Sequence, residues 1–248
     1  MGAEVMTVRA ILFDVYGTIF RVGLPSADAD QQWVQLFREE LQTDPPMNRL
    51  AFAAACSRAV ARRHEWARAR GVTHPEVNWS AVVLEVLPIL RQLPGPAQDR
   101  FIYRQMQLGR HIELYGGAAE TLRKLRDGPW VLGLVSNSQA YTREELRIWL
   151  GGVGLGLDLF HPGLCFYSFE HGFSKPDPHV FQCLTTRLEA LGIRPEETLM
   201  VGDRLDNDIV PARAFGWQTW HLTPQPSDGT HAGNWEQLNR HLFRARDR

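Results

Sequence analysis

The sequence predicts an α/β protein in which a parallel sheet, covered by helices on both faces, is interrupted by an all-helical insertion. Short apolar segments alternate with helical segments from about residue 111 onward, which is the pattern of a parallel sheet. One earlier strand, residues 9–14, is separated from the others by a block in which only helical periodicity is found. We therefore predict a core of residues 1–23 and 111–248 and a helical cap domain of residues 24–110.

The first strand is read from the segment RAILFD, residues 9–14. It is short and apolar, and Gly17 follows it closely, so it is predicted to be a fully buried strand. A carboxylate, Asp14, stands at its end.

The insertion is predicted to consist of four helices, because apolar residues recur in it at helical spacing. The predicted helices cover residues 26–42, 50–71, 78–93 and 96–111. Six of its polar residues are interpreted as part of a solvated helix face and a turn. The alternative, which stays open, is that they contact the leaving group of a substrate. These residues are Arg62, Arg63, His64, Glu65, His74 and Glu76.

The remainder of the chain is predicted to alternate between helices and strands. The predicted helices are residues 118–127, 142–151, 177–192 and 207–216, and the predicted strands are residues 130–138, 163–168, 198–203 and 218–223. The tail is expected to hold a short helix and a frayed basic end.

Composition excludes several classes of partner. The chain has 248 residues, 44% of them hydrophobic and 22% charged, and its formal net charge is -1, which argues against a nucleic-acid or membrane surface. Three widely spaced cysteines predict neither a disulfide framework nor a metal site. The first ten residues lack the apolar stretch of a signal peptide, so we expect a cytoplasmic protein that acts on a small molecule.

Polar side chains are predicted to meet at the edge of the sheet where the strands end, which is where parallel sheets bind ligands. Asp14 ends the first strand, and residues 136–138 (Ser-Asn-Ser) end the second. Asp203 ends a third strand, with Asp208 five residues later, and Lys175 precedes a helix. Each group alone is explained by a turn, a helix cap or a solvated surface. Their occurrence together predicts one site.

These residues resemble the motifs of the haloacid dehalogenase-like hydrolase superfamily. The matching features are D-x-x-G-T from Asp14 to Thr18, a serine at Ser136, Lys-Pro at Lys175, and G-D-x-x-x-x-D ending at Asp208. The helical insertion resembles that of the subgroup with a helical cap, and the resemblance implies a Rossmann-like core fold.

The resemblance implies a role for each of these side chains. Asp14 would be the nucleophile, since a carboxylate can form an ester or an acyl phosphate that water then cleaves. Lys175 would keep Asp14 charged and stabilise negative charge on the substrate. Ser136 would donate hydrogen bonds to a phosphate or carboxylate. Thr18 and Asn137 would support substrate binding.

The resemblance also implies a Mg²⁺ ion as cofactor. Asp203 and Asp208 would hold it together with Asp14, because hard oxygen ligands suit that ion. In the superfamily the metal also binds the main-chain carbonyl two residues after the nucleophile, which is that of Tyr16 here.

Tyr16 departs from the phosphatases of the superfamily, most of which have an acid at this position for the leaving group. An unperturbed phenol has a pKa of about 10, far from that of a useful acid at neutral pH. The motif D-x-Y-G-T is similar instead to the 2-haloacid dehalogenases, whose halide leaving group needs no proton. Tyr16 is expected to line the substrate pocket in either case.

The fourth motif favours a phosphatase. It holds Asp203, Asp206 and Asp208, and like charges so close together call for a cation. The dehalogenases also carry an aromatic hydroxyl six residues after the motif lysine, where this chain has Phe181, which we interpret as a helix core residue. We therefore predict a Mg²⁺-dependent phosphate monoester hydrolase. A metal-independent 2-haloacid dehalogenase and a catalytically weak binding protein of the same fold are the alternatives.

Overall fold

The structure is a computed structural model that describes residues 7–225 and 231–244. Among these residues, no helix combines the length and the apolar character needed to cross a membrane. The predicted basic end of the tail lies outside the described residues, whereas the predicted tail helix is present, as described below.

The core of the protein is a six-stranded parallel sheet, as the sequence predicts. In chain order its strands are β1 (Ala10–Phe13), β4 (Val131–Ser136), β5 (Cys165–Tyr167), β6 (Thr198–Gly202), β7 (Gln218–Leu222) and β8 (Ala232–Gly233). Their order across the sheet is β5-β4-β1-β6-β7-β8. Strand β1 therefore lies in the middle, and all four of its residues are fully buried, which explains its continuous apolar sequence.

Helices cover both faces of this sheet. On one face Ile11 and Phe13 pack with α5 (Ala118–Arg126), α6 (Tyr141–Gly151) and α10 (Trp235–Arg244). On the other face Ala10 and Leu12 pack with α8 (Pro178–Ala190) and α9 (Val210–Ala214). A short helix, α7, is Ser168–His171. Alternate residues of β1 thus belong to two separate apolar clusters, which is the arrangement of a Rossmann-like α/β fold.

The chain between β1 and β4 contains four helices, here called the helical block: α1 (Ala29–Leu41), α2 (Arg49–Arg68), α3 (Trp79–Val86) and α4 (Gly95–Leu108). The block has an apolar cluster of its own, and all the buried residues of this cluster lie within residues 33–108. Asn48 and Asn78 cap α2 and α3 with their side-chain oxygens.

Two of the predicted helices differ from those in the structure. The segment 78–93 forms α3 up to Val86, followed by a short 3₁₀ turn, Pro88–Gln92, because Pro88 has no N–H to continue the helix. The segment 207–216 starts earlier than predicted, as a wide π-helical turn over Leu205–Ile209 that leads into α9.

A two-stranded antiparallel sheet was not predicted. It pairs β2 (Phe20–Gly23) with β3 (His111–Leu114) and joins the helical block to the core, with Gly23 opposite His111. Three of the four residues of β2 are exposed, so the segment lacks the alternation that identifies a half-buried strand.

Candidate active site

The carboxylate of Asp14 lies just beyond the end of β1 and is 6% exposed. Its backbone N–H donates to the carbonyl of Val201 at 2.9 Å, so the neighbouring strand fixes where the side chain begins. The turn that follows uses Gly17 at φ +90°, where a Cβ would overlap the carboxylate of Asp203. Glycine therefore allows Asp203 to approach the turn that follows Asp14.

Lys175 joins two of the predicted acids. Its ammonium group donates to Asp14 Oδ1 at 2.7 Å and to Asp208 Oδ1 at 2.6 Å, and the residue is 3% exposed. Asn137 fixes the backbone of Lys175 from both sides, accepting from its N–H at 2.7 Å and donating to its carbonyl at 2.8 Å. The structure thus brings the first, second and fourth predicted motifs together around the lysine of the third.

Negative charge exceeds positive charge in this cluster. Ligand atoms of Asp14, Asp203 and Asp208 all lie within 4.8 Å of one another, and the ammonium of Lys175 is bonded to two of these acids, Asp14 and Asp208. Burial, with a further contribution from Asp208, raises the pKa of Asp14 from 3.8 to about 7 against the opposing effect of Lys175. Burial would lower the pKa of Lys175, but the two carboxylates outweigh it and raise that pKa.

The geometry of the three acids fits a divalent cation. Oδ1 of Asp203 is buried and accepts no hydrogen bond from any described residue, and burial raises the pKa of this carboxyl. Gly202 makes room for Asp208 in the same way that Gly17 makes room for Asp203, because a Cβ at position 202 would overlap it. The carboxylate oxygens here would be suitable ligands for a hard cation such as Mg²⁺, which prefers oxygen ligands.

Two hydroxyl groups near the strand ends are buried without a partner among the described residues. They are Oγ of Ser136, at the end of β4, and Oγ1 of Thr18, in the turn after β1. Buried hydroxyls are ordinarily hydrogen-bonded, so these unpaired ones near the strand ends are available to a ligand.

Tyr16 does not present its hydroxyl as a free group. The phenol donates to Glu145 of α6, lies 2.7 Å from Thr142 Oγ1, and accepts from Arg110 at 2.9 Å. The guanidinium of Arg110 also stands 4.2 Å from the centre of the Tyr16 ring. Burial raises the pKa of Tyr16 above its ordinary value, so the phenol stays protonated.

The residues around Tyr16 form a second buried cluster that sequence reasoning missed. Glu145 is fully buried and accepts from Arg110 at 2.7 Å and from Gln107 at 2.8 Å, both of which lie where the chain leaves the helical block. One feature of the sequence could have indicated this cluster: Glu145 lies on the buried face of α6, together with Thr142 and Leu146. That spacing indicates a buried acid but does not identify the distant residues that neutralise it.

The sequence of the chain matches the family model described as haloacid dehalogenase-like hydrolase over residues 8–216. This match includes every motif residue gathered at the site. The chain is a haloacid dehalogenase-like hydrolase. It is therefore a member of an enzyme family.

Relatives of this haloacid dehalogenase-like hydrolase include proteins of both predicted reaction types. It is 30% identical to a phosphoserine phosphatase of Thermus thermophilus, with 72% of this chain and 79% of the relative covered. It is 26% identical to an (S)-2-haloacid dehalogenase 4A of Burkholderia cepacia, with 88% and 84% covered. A match to a glyceraldehyde 3-phosphate phosphatase of Pyrococcus furiosus is 33% identical but spans only 39% of that protein and 42% of this chain.

Solved structures show the same fold. A HAD-hydrolase of Bacillus subtilis bound to magnesium is 25% identical, with a TM-score of 0.54 and coverage of 95% of this chain and 99% of that one. A 2-haloacid dehalogenase of Pseudomonas syringae pv. Tomato is 19% identical, with a TM-score of 0.60 and coverage of 96% and 100%.

Phe181 occupies the core of the fold, as interpreted from the sequence. It is fully buried in α8, and its ring lies 5.9 Å from that of Phe215 and 5.6 Å from that of Trp217. The aromatic hydroxyl of the dehalogenase pattern therefore has no counterpart at this position.

Proposed function

We propose that the protein is a Mg²⁺-dependent phosphatase that hydrolyses small phosphate monoesters through an aspartyl phosphate on Asp14. The observation that carries the proposal is the cluster of three acids around one lysine. Carboxylates held so close together, with one oxygen of Asp203 unpaired, favour a bound cation over an uncompensated charge. Relatives that are phosphatases and a magnesium-bound structural neighbour support the same conclusion.

In the first step, an oxygen of Asp14 attacks phosphorus, the new O–P bond forms, and the bond to the leaving oxygen breaks. The ammonium of Lys175 has three N–H groups, two of which hold Asp14 and Asp208, so one is left for a phosphate oxygen. The hydroxyl of Ser136 donates to another. Mg²⁺, held by Asp14, Asp203, Asp208 and the carbonyl of Tyr16, would neutralise charge on the phosphoryl group.

In the second step, water cleaves the acyl phosphate and regenerates Asp14. Neither step is assigned a protein acid, because the hydroxyl of Tyr16 is bonded to Glu145 and Arg110. The leaving group must then depart as an anion or take its proton from water. We therefore propose that the enzyme prefers phosphate esters with good leaving groups, and that alkyl phosphates react slowly.

The helical block is proposed to be the cap domain that covers this site. It is joined to the core by β2 and β3. Gln107 and Arg110, which lie where the chain passes from α4 to β3, contact Glu145 beside Tyr16. A domain in that position can exclude water from the attack on the substrate. Thr18, Asn137 and the Tyr16 side chain stay predicted substrate-binding residues, which nothing described above tests.

The second candidate is a 2-haloacid dehalogenase. The D-x-Y-G-T motif and a dehalogenase relative favour it, since departure of a halide requires no acid. The two candidates differ in their need for a metal, because halide release from carbon leaves no phosphoryl charge to neutralise.

The test compares 4-nitrophenyl phosphate with 2-chloropropionate, each with Mg²⁺ and with chelator. We expect nitrophenol release that requires Mg²⁺ and is lost in Asp14→Asn. The control is Asp206→Asn, which changes an exposed acid of the same motif that is paired with Arg204, and it is expected to retain activity. Halide release that survives the chelator, without phosphatase activity, would contradict the proposed function and establish the alternative.

A further inference from the structure

One segment of the helical block crosses to the core and pairs with the loop that carries Lys175. This segment, residues 73–78 between α2 and α3, is here called the docking segment. The N–H of Ser174 donates to the carbonyl of His74 at 2.9 Å, and the N–H of Glu76 donates to the carbonyl of Gly172 at 3.0 Å. These bonds flank an antiparallel bridge between Pro75 and Phe173. The docking segment therefore holds the backbone just before the catalytic lysine.

Gln139 binds the end of the docking segment and the residue that follows it, Trp79. Its carboxamide oxygen accepts from the N–H of Trp79 at 2.8 Å, and its nitrogen donates to the carbonyl of Val77 at 2.8 Å and to Glu76 at 3.1 Å. A carboxamide has two N–H donors, and both are used here. Gln139 therefore has no donor to offer a substrate, although it directly follows the Ser136–Ser138 motif.

Glu76 provides a second connection between the docking segment and that motif. Its carboxylate accepts from Oγ of Ser168 at 2.7 Å, and the same Oγ accepts from the N–H of Ser138 at 2.8 Å. Glu76 thus reaches the motif twice, through Gln139 and through Ser168. The sequence had placed this acid in a solvated turn.

The motif loop and the lysine loop are also bonded to each other. Asn137, two residues before Gln139, makes the reciprocal pair of hydrogen bonds with the backbone of Lys175 described above. The contacts form a closed circuit, which runs from Gln139 through the docking segment to Ser174 and Lys175, and through Asn137 back to Gln139. Loss of one member loosens both loops.

We propose that Gln139 is a positioning residue for the reaction, which aligns Ser136 and Lys175 by holding the docking segment against the two loops. This inference rests on the proposed function, because it assumes that Ser136 and Lys175 act on the substrate. Displacement of a reacting group by about 1 Å can cost roughly 10²-fold in rate, so a contact outside the reacting groups can matter this much.

The first test replaces Gln139 by methionine, which has similar length but neither donor nor strong acceptor. With 4-nitrophenyl phosphate and Mg²⁺, we expect kcat to fall roughly 10- to 100-fold and KM to change by less than about threefold, since the aligned groups act mainly on transition-state charge. The matched control is Gln182→Met on an exposed position of α8, which should leave both constants unchanged. An equal effect of both variants, or a kcat of Gln139→Met within about twofold of the wild type, would overturn the proposal.

The second test exchanges the two contacting groups. Gln139→Glu puts two carboxylates face to face and is expected to reduce kcat more than Gln139→Met does. The double variant Gln139→Glu with Glu76→Gln restores one donor and one acceptor across the contact, so it should recover at least about tenfold in kcat relative to Gln139→Glu alone. Failure of Glu76→Gln to rescue would show that the contact itself does not position the loops.

A third readout does not depend on turnover. Hydrogen exchange of the substrate-free protein should become faster in Gln139→Met over residues 73–79 and 172–177, and should stay unchanged in β6. Exchange that is unchanged in the two segments would overturn the proposal. A wild-type protein that turns over neither 4-nitrophenyl phosphate nor 2-chloropropionate would refute the proposed function instead, and the exchange result would then decide the role of Gln139 by itself.

Discussion

Two buried charged clusters lie side by side at the end of β1, and they differ in how completely their charges are paired. In the first, Asp14 and Asp208 share the ammonium of Lys175, and Asp203 lies within 4.8 Å of both acids without a bond to that lysine. In the second, Glu145 is bonded to the guanidinium of Arg110 and also accepts from Gln107 and Tyr16. The first has negative charge in excess, whereas the second is neutral with its carboxylate satisfied.

This difference in charge pairing indicates which of the two clusters binds a ligand. A buried carboxylate that accepts several hydrogen bonds from the protein needs no ligand, and removing one of its partners lowers only the stability of the fold. Acids that lack partners bind something that the protein itself does not provide, or they remain protonated. Substitutions in the first cluster should therefore change activity, and substitutions in the second should change stability.

The largest expected effect is the loss of turnover in Asp14→Asn. Removing a nucleophile should reduce kcat on 4-nitrophenyl phosphate by at least about 10⁴-fold. In chelator, the same variant should have a higher free energy of unfolding than the wild type, because it relieves the excess negative charge. Steady-state kinetics and urea unfolding check the two expectations. A variant that is inactive and also much less stable would erase the contrast between the clusters.

The next effect is the destabilisation caused by Arg110→Met. This change leaves the buried Glu145 without its cation, and breaking such a pair costs about 3–5 kcal/mol. The control is Arg147→Met on α6, the helix that carries Glu145, and the exposed pair of Arg147 with Glu144 should contribute less than about 1 kcal/mol. Urea denaturation measures both. Similar losses for the two variants would show that the Glu145 cluster is not a special structural feature.

A smaller effect is expected for Tyr16→Phe, which removes the hydroxyl that contacts Glu145, Thr142 and Arg110. Leaving buried polar groups unsatisfied should cost about 1–3 kcal/mol in unfolding free energy. The kcat on the aryl phosphate should stay within about threefold, since the hydroxyl is not assigned to proton transfer. A large fall in kcat with little loss of stability would make the phenol a participant in the reaction.

The smallest effect concerns pH. Because burial raises the pKa of Asp14 from 3.8 to about 7, the folded protein holds this proton at pH values where the unfolded chain has lost it. The contribution of Asp14 to stability is thus present below about pH 4 and is lost as the pH rises toward 7. In chelator, the stability advantage of Asp14→Asn over the wild type should grow between pH 5 and pH 7. An advantage that is constant with pH would contradict the shifted pKa.

Most of the fold was predictable because its signals are local. Strand β1 is buried on both faces, so its apolar sequence identifies it, whereas its place in the middle of the sheet was not predicted. Strands β2 and β3 were missed because they form a short, largely exposed pair without alternation. The predicted helix over residues 78–93 ends early, just before Pro88, and the effect of that proline could have been predicted from the sequence.

The candidate site likewise contains residues that could be predicted from the sequence and residues that could not. Asp14, Ser136, Lys175 and Asp203 stand at strand ends or beside a helix start, so order along the chain predicts that they meet. The partners of Tyr16 could not be predicted, since Arg110 and Glu145 are 94 and 129 residues away from it in sequence. Gln139 was missed for a related reason, because its partners belong to a segment of the helical block that only tertiary packing brings near.

The pairing of β2 with β3 has an evolutionary consequence. Gly23 and His111 lie opposite each other, so the chain leaves the core and returns to it at one place. A segment exchanged at that point alters neither the order nor the register of the six-stranded sheet. Descendants of one ancestor can therefore keep the residues at the strand ends while the inserted domain between β2 and β3 is replaced by another.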